Sequence, residues 1–280
     1  MTAALTTPAL VFILAFAGLF GLVIGSFLNV VAHRVPAGIP LTRESRCPRC
    51  AAPVRPWQNV PVLSWLALRG RCASCRTPIS ARYPLVEAIT GVAFVAVTWL
   101  ALHAAPASAI APAPGALVLA AYLWFAAASV VLTLTDLDRQ LLPRAIVLPS
   151  AVAVLALFTS AWFAGAPVEN LLRALAGGAI LYVIYALLRI IRPDGMGGGD
   201  VRLAGLVGVC LGWIGWGALA VGGFAAFALG GVVGLALVAI KRAGRRTAIP
   251  FGPWMLAGAW VGIAAGEPVA RAYLDLLAGI

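Results

Sequence analysis

The sequence predicts an all-α polytopic membrane protein of about eight transmembrane helices, with a small cytoplasmic insertion between helices 1 and 2. Hydrophobic residues make up 62% of the 280 residues and charged residues only 10%, against roughly 45–50% and about 25% in soluble domains. Uncharged runs of about 20 residues, the length that a helix needs to cross the hydrocarbon core, recur along almost the whole chain. This composition excludes a soluble globular, disordered, collagen-like or small disulfide-rich protein.

The uncharged runs define the predicted spans. No Lys or Arg precedes the first run, which is also longer than the core of a signal peptide, so we expect it to be retained. The sixth and seventh runs are joined by residues 217–223 without a polar loop, so alternating sidedness sets the boundary between them. The runs cover residues 8–32, 84–104, 116–135, 145–167, 171–191, 203–218, 221–240 and 251–266.

Positive charge predicts the orientation. The formal net charge is +11, but the basic residues lie in short segments between apolar runs, which favours a membrane surface over nucleic acid as their partner. If residues 34–82 face the cytoplasm, 18 of the 20 Lys and Arg lie on or beside that face, and only Arg173 and Arg271 lie outside. The N-terminus is therefore predicted to face outward.

Only one segment is long and polar enough to form a domain outside the membrane. The predicted organisation is a first transmembrane helix at 1–32, a cytoplasmic domain at 33–83 and a membrane-embedded domain at 84–280. The cytoplasmic segment carries nine Arg and four of the five cysteines. About 50 residues of this composition cannot bury much of a core, so a structural metal would help to stabilise them.

The four cysteines form two Cys-x-x-Cys pairs separated by 21 residues, a pattern that places four thiolates around a tetrahedral zinc ion. The alternative is two disulfides or redox-active pairs, which the predicted reducing compartment disfavours. The fifth cysteine, Cys210, lies in an apolar run and is expected to be a packing residue. The predicted metal ligands are Cys47, Cys50, Cys72 and Cys75.

Aspartates occur where predicted spans meet the cytoplasmic face. Asp136 and Asp138 end the third span, Asp200 opens the sixth, and the two spans between them return the chain to the same face. Two carboxylates brought together there cannot easily both ionise and would share one proton, as in aspartic proteases. One carboxylate would then activate water while the protonated one polarises the scissile carbonyl.

Each acidic residue also has a purely structural interpretation. Asp200 can cap the sixth helix, and Asp138 can pair with Arg139 or Arg144, which is the interpretation we favour for Asp138. Glu87 is either an interfacial partner of an Arg or part of a polar site. The glycines before Asp200 would permit positive φ and close approach of a substrate strand or a partner helix. The candidate substrate-binding residues are Gly197, Gly199 and Glu87.

In these motifs the chain resembles the type IV prepilin peptidases, the leader peptidase and N-methyltransferase family of GxGD aspartic proteases. The resemblance extends over almost the whole chain and includes further motifs in the same order. They are Gly25-Ser-Phe-Leu-Asn-Val-Val-Ala-His-Arg34, Asn59-Val-Pro-Val-Leu-Ser-Trp65, Arg82-Tyr-Pro-Leu-Val-Glu87 and Ile249-Pro-Phe-Gly-Pro253.

The resemblance implies that Asp136 and Asp200 are the catalytic pair, with Asp138 as a neighbour, and it associates the cysteine pairs with metal binding and with a domain linked to methylation. It implies cleavage of a basic leader from prepilins or pseudopilins at the cytoplasmic side of the bacterial inner membrane. S-adenosylmethionine would then methylate the new N-terminus. Arg202 stands where many relatives carry Lys. No Gly-rich loop of a soluble methyltransferase is present, so methylation rests on the resemblance alone.

Three alternatives remain open from the sequence. The first is the same peptidase without methyl transfer. The second is an ion-coupled transporter, although intramembrane carboxylates of transporters usually lie near mid-bilayer in repeated halves. The third is a non-enzymatic adaptor that holds a cytoplasmic partner through the cysteine segment, which would leave the paired aspartates unexplained.

Overall fold

The computed structural model describes residues 6–104, 112–240 and 250–279, and within these ranges the chain forms nine α-helices and no extended strand. The only β-type pairings in the same ranges are two isolated bridges within the cysteine segment. The helices are α1 (Thr7–Arg34), α2 (Leu63–Ala67), α3 (Arg82–Ala104), α4 (Pro112–Arg139), α5 (Arg144–Phe163), α6 (Val168–Ile191), α7 (Gly198–Ile214), α8 (Trp216–Ala239) and α9 (Gly252–Ala278).

Six helices of the described chain are long and apolar enough to cross a membrane, and no membrane is present in the structure. They confirm the predicted all-α, multi-pass class, but the predicted number of about eight spans is not confirmed. The six candidate spans are Thr7–Ala37, Arg82–His103, Ala113–Arg139, Arg144–Phe163, Val168–Ile191 and Trp216–Ala239.

The predicted number of spans is larger than six because it includes α7 and α9, which are not among the candidate spans. Helix α7 has 17 residues, a length of about 26 Å against a hydrocarbon core of about 30 Å. Helix α9 has 27 residues but carries Glu267, Arg271 and Asp275 in its second half. The chain breaks between α7 and α8 at Gly215, where the backbone is extended, just before the predicted boundary stretch of residues 217–223.

The contacts divide the chain into two compact units, Met1–Ile110 and Ala111–Ile280. In the first unit, α1 packs closely on α3 because two glycines of α1 face the backbone of α3. A Cβ atom at Gly21 would lie 2.8 Å from the Thr90 carbonyl oxygen, and one at Gly25 would lie 2.7 Å from the Glu87 Cα. The predicted domain boundaries, after residues 32 and 83, were drawn from polarity and remain a prediction.

In the second unit, α6 and α7 run antiparallel along their length. Arg173 near the start of α6 donates to the Gly212 carbonyl near the end of α7, at 2.7 Å. A Cβ atom at Gly177 would lie 2.6 Å from the Gly208 carbonyl oxygen, and the Arg189 guanidinium at the end of α6 lies beside Gly198 at the start of α7. Small residues therefore let the two backbones approach, as is typical of membrane helix pairs.

The second unit also pairs α8 with α9, and side chains of α4 connect both pairs. A Cβ atom at Gly222 of α8 would lie 3.2 Å from the Gly258 carbonyl oxygen of α9. From α4, the Tyr122 hydroxyl donates to the Cys210 carbonyl of α7 at 2.7 Å. Ser129 of α4 accepts a hydrogen bond from the Trp260 indole of α9 at 3.2 Å. Helix α4 is thereby fixed against both α7 and α9.

Candidate functional site

Asp136 lies in the last turn of α4 and is buried, with a relative exposure of 5%. The Gly252 backbone N–H, at the first residue of α9, donates to Asp136 Oδ2 at 2.9 Å. Asp138 is exposed, because two residues along a helix correspond to a rotation of about 200°. The end of α4 therefore presents one aspartate to the interior of the second unit and the other to the surface.

Asp200 is half-buried in the first turn of α7. The Gly197 backbone N–H donates to Asp200 Oδ2 at 2.9 Å, which is a contact of the capping kind. The structural role that the sequence suggested for Asp200 is therefore present. Capping holds the carboxylate at the helix start in a fixed orientation and is compatible with a second, chemical role.

The structure brings the two aspartates together. Leu142 contacts both Gly199, which precedes Asp200, and Gly252, which donates to Asp136, although 64 positions separate the two aspartates in the sequence. Each of the two acidic groups lies at a helix end with one oxygen held by a backbone amide, and carboxyl groups of this kind can act in acid-base catalysis. The catalytic assignment of the two aspartates remains a prediction.

The backbone conformation of the glycines before Asp200 differs from the prediction, whereas their close packing agrees with it. None of the glycines at 195–199 has positive φ, and Gly197 has a φ of −72°. Close approach of a neighbouring segment is what the structure shows. A Cβ atom at Gly199 would lie 2.8 Å from the Leu142 Cβ, in the loop between α4 and α5. Substrate binding by Gly197 and Gly199 stays a prediction.

Two residues of this site had no predicted role: Leu142 was not singled out from the sequence, and Gly252 was named only as part of a motif. Leu142 stands in the stretch that follows Asp136, and Gly252 in the motif that opens α9; Ile249 of that motif lies outside the described residues. Next to Gly252, the Phe251 ring packs 6.2 Å from Tyr185 and 5.5 Å from Phe227. The contacts of Leu142 and Gly252 join segments that are distant in the chain, so no local sequence pattern predicts them.

The four predicted metal ligands form a cluster in the first unit. The Sγ atoms of Cys47, Cys50, Cys72 and Cys75 all lie within 4.8 Å of one another, and Cys47 and Cys75 Sγ are 3.8 Å apart. A tetrahedral zinc ion with Zn–S bonds of about 2.3 Å has ligand sulfurs about 3.8 Å apart. All four cysteines are free thiols rather than disulfides. The cluster can hold a metal ion, as the sequence predicted.

Both cysteine pairs adopt the same turn. The Cys47 N–H donates to the Ala52 carbonyl at 2.9 Å, and the Cys72 N–H donates to the Thr77 carbonyl at 2.8 Å. The residue after the second cysteine has positive φ in each pair, 56° and 58°. Hydrogen bonds from the Thr77 hydroxyl and amide lower the pKa of Cys75 to about 6, which favours the thiolate form that binds metals.

Glu87 supports the cysteine segment. It is buried on α3, and its Oε2 accepts a hydrogen bond from the Val62 backbone N–H at 2.7 Å. Val62 has a φ of 59° and lies directly before α2. This hydrogen bond joins α3 to the loop between the cysteine pairs. Substrate binding by Glu87 stays a prediction.

Two family models match the chain. Residues 19–101 match the bacterial peptidase A24 N-terminal domain, and residues 123–235 match the type IV leader peptidase family. The first match contains the cysteine cluster and Glu87, and the second contains Asp136 and Asp200. No solved structure matches the chain significantly.

Curated relatives match over nearly the full length. A protein of Aeromonas hydrophila is 35% identical, with 95% of each chain covered, and one of Pseudomonas putida is 33% identical, also with 95% of each covered. A protein of Neisseria gonorrhoeae is 34% identical, with 93% of each covered. All three are named prepilin leader peptidase/N-methyltransferase.

Proposed function

The chain belongs to the type IV leader peptidase family, and from this premise we propose that it cleaves the leader peptide from prepilins or pseudopilins and methylates the new N-terminal residue. The observations that carry the proposal are the hydrogen bond from the start of α9 to Asp136, the place of Asp200 in the first turn of α7, and the contact of Leu142 with both helix starts. Both proposed activities correspond to the name that its relatives carry.

The proposed cleavage uses the two carboxyl groups with one shared proton. The ionised carboxylate takes a proton from a water molecule, and the water oxygen attacks the carbonyl carbon of the scissile bond. The protonated carboxyl group donates its proton to the carbonyl oxygen. The tetrahedral intermediate then collapses and the C–N bond breaks. The leaving nitrogen takes a proton from the pair, and one hydroxyl group of the intermediate returns its proton to the pair as the new carboxyl group forms. The amides of Gly252 and Gly197 each fix one oxygen, so each carboxylate enters the reaction already oriented.

We place both aspartates and the cysteine cluster on the cytoplasmic side of the inner membrane, with the N-terminus outside. The positive charge of the segments on that side supports this orientation. The apolar helix of the substrate would then lie in the bilayer while its charged leader stays in the cytosol. This arrangement puts the scissile bond at the membrane boundary, beside the helix ends that carry the aspartates.

Zinc is the metal we propose for the cysteine cluster, held by Cys47, Cys50, Cys72 and Cys75. Four thiolates at tetrahedral spacing favour zinc over oxygen-seeking cations. When bound, a closed four-thiolate zinc site supplies structural stability rather than chemistry. For methylation we propose S-adenosylmethionine as the methyl donor, on the basis of the methyltransferase activity in the names of the relatives.

The transporter alternative is not supported. The chain matches a peptidase family over residues 123–235, and the aspartates lie at helix ends rather than at the middle of the helices. The peptidase without methyl transfer remains the second candidate, and the mass of the product distinguishes it from the first.

The test is mass spectrometry of a prepilin incubated in lipid with the purified protein, with and without S-adenosylmethionine. We expect a shortened product that gains one methyl group only when the methyl donor is present. Asp136→Asn and Asp200→Asn should each abolish the shortened product, because an amide can neither take the proton from water nor share it. Asp138→Asn is the matched control on the same helix and should cleave normally.

Each outcome decides between the candidates. Cleavage without methylation would leave a peptidase alone. Cleavage that persists in a folded Asp136→Asn or Asp200→Asn variant would overturn the aspartate pair. If the wild-type protein leaves several prepilins intact, the peptidase proposal itself fails.

A further inference from the structure

We propose that Leu142 is a positioning residue that sets the separation of the two carboxyl groups, an inference that rests on the function proposed above. Leu142 lies in the loop between α4 and α5 and has a relative exposure of 5%. It is therefore buried, although its neighbour Leu141 in the same loop is 45% exposed.

Leu142 contacts the two backbone segments on which the aspartates depend. A Cβ atom at Gly199 would lie 2.8 Å from the Leu142 Cβ, and one at Gly252 would lie 3.2 Å from the Leu142 Cδ2. Gly199 directly precedes Asp200 in α7, and Gly252 donates the hydrogen bond to Asp136. One side chain thus separates the start of α7 from the start of α9.

The loop cannot move Leu142 away easily, because both of its ends are fixed. The Gln140 N–H donates to the Asp136 carbonyl at 2.8 Å, and Gln140 has a φ of 51° that turns the chain out of α4. On the other side, the Pro143 carbonyl accepts the Ile146 N–H at 2.9 Å in the first turn of α5. Leu142 is therefore held relative to the backbone of Asp136 itself.

This arrangement gives the size of the Leu142 side chain a chemical consequence. A shorter side chain leaves a gap between α7 and α9, and the two helix starts either close the gap or lose their common support. Either response changes the distance between the carboxyl groups that must share a proton and hold a water molecule. A displacement of about 1 Å from a productive geometry can lower a rate roughly 100-fold. Because Leu142 is buried, substrate binding should change little.

The test measures kcat and KM for prepilin cleavage by four variants. We expect Leu142→Ala to lower kcat by roughly 100-fold with KM within about twofold of wild type, and Leu142→Val to give a smaller loss in the same parameter. Leu142→Met, which conserves volume, should keep most of the kcat. Leu141→Ala removes the same atoms from the exposed neighbour and is the matched control, expected to behave as wild type.

The thermal unfolding midpoint in detergent establishes that each variant is folded. If Leu142→Ala does not fold, the comparison of Leu142→Val with Leu142→Met decides the question. A folded Leu142→Ala or Leu142→Val variant with wild-type kcat would overturn the inference, and so would a loss confined to KM. Absence of cleavage by the wild-type protein would instead refute the proposed function, so the two failures are distinguishable.

Discussion

Hydrogen bonds to individual carboxylates decide what the acidic residues of this protein do. Asp136 accepts from Gly252, Asp200 accepts from Gly197, and Glu87 accepts from Val62, and in each case the donor is a backbone N–H. Hydrogen bonds to charged groups contribute more than neutral ones, and a donor left without its partner is costly when buried. Each carboxyl group therefore orders a segment of backbone.

Glu87 provides a prediction at the residue scale. Glu87→Ala removes the acceptor for the Val62 N–H and should loosen the cysteine segment by about 1–3 kcal/mol, because that donor loses its partner. Glu87→Gln keeps a carbonyl oxygen as acceptor and should lose less. Limited proteolysis of the full protein measures the effect as cleavage within residues 33–83.

The control is Glu44→Ala. Glu44 lies in the same segment but is exposed, and it pairs with the equally exposed Arg46, so its loss should change little. Equal protease resistance of Glu87→Ala and wild type would show that the hydrogen bond does not hold the segment.

At the scale of helices, charged side chains cap the break between α7 and α8. Arg173 donates to the carbonyl oxygens of Gly212, Trp213 and Ile214 at the end of α7. Glu267 accepts the Ala218 N–H at the start of α8, at 3.2 Å. A cation at a helix C-terminus and an anion at an N-terminus are the favourable arrangements. Arg173 and Glu267 therefore bind backbone groups that are free at the break between α7 and α8, which lipid could not do.

Close packing of α6 on α7 leads to a prediction at the element scale. Gly208→Ala would place a methyl group against the Gly177 carbonyl and should force the helices apart. Overpacking of this kind costs about 1–3 kcal/mol, so we expect a lower thermal unfolding midpoint in detergent. Gly231→Ala on α8 is the control, because a Cβ atom there has no neighbour within 4 Å. A midpoint for Gly208→Ala that equals that of Gly231→Ala would contradict the prediction.

Membrane topology provides a prediction for the whole molecule. We expect an epitope tag inserted after Gly38, in the cysteine segment, to be reached only from the cytoplasm. A tag after Gly165, between α5 and α6, should be reached from outside, because one span separates it from the Asp136 end of α4. Antibody labelling of intact and permeabilised cells measures both. If both tags were reached from the same side, the proposed orientation would be wrong.

Metal removal provides a second prediction at this scale. A chelator should release one zinc ion per chain and make residues 33–83 sensitive to protease, because the metal supplies stability that a small core cannot. Cys47→Ser should reproduce the effect, whereas Cys210→Ala, outside the cluster, should retain the metal. Metal analysis together with proteolysis tests this. Full protease resistance of the metal-free protein would show that the cluster does not stabilise the segment.

The sequence predicted the helical class because each span has the same apolar composition, which can be recognised from neighbouring residues alone. It placed the starts of the eight long helices within five residues, although α9 extends to Ala278, beyond the predicted end at residue 266. It also identified the cysteine cluster, because ligand spacing constrains a metal site strongly. The number of spans was less secure. Helix α7, with 17 residues, and helix α9, with three charged residues in its second half, are the two predicted spans that length and composition do not confirm.

The sequence by itself determined that this is a membrane protein with a four-cysteine cluster and acidic residues at helix ends. Composition and residue spacing are local features, so they can be recognised without knowing which distant segments come into contact. Only the tertiary structure decided that Asp136 is buried while Asp138 is exposed, and that Gly252 donates a hydrogen bond to Asp136 from 116 positions away. It also decided that Leu142 lies between the two helix starts. These contacts join segments that are distant in the chain, and the packing of α4, α7 and α9 creates them.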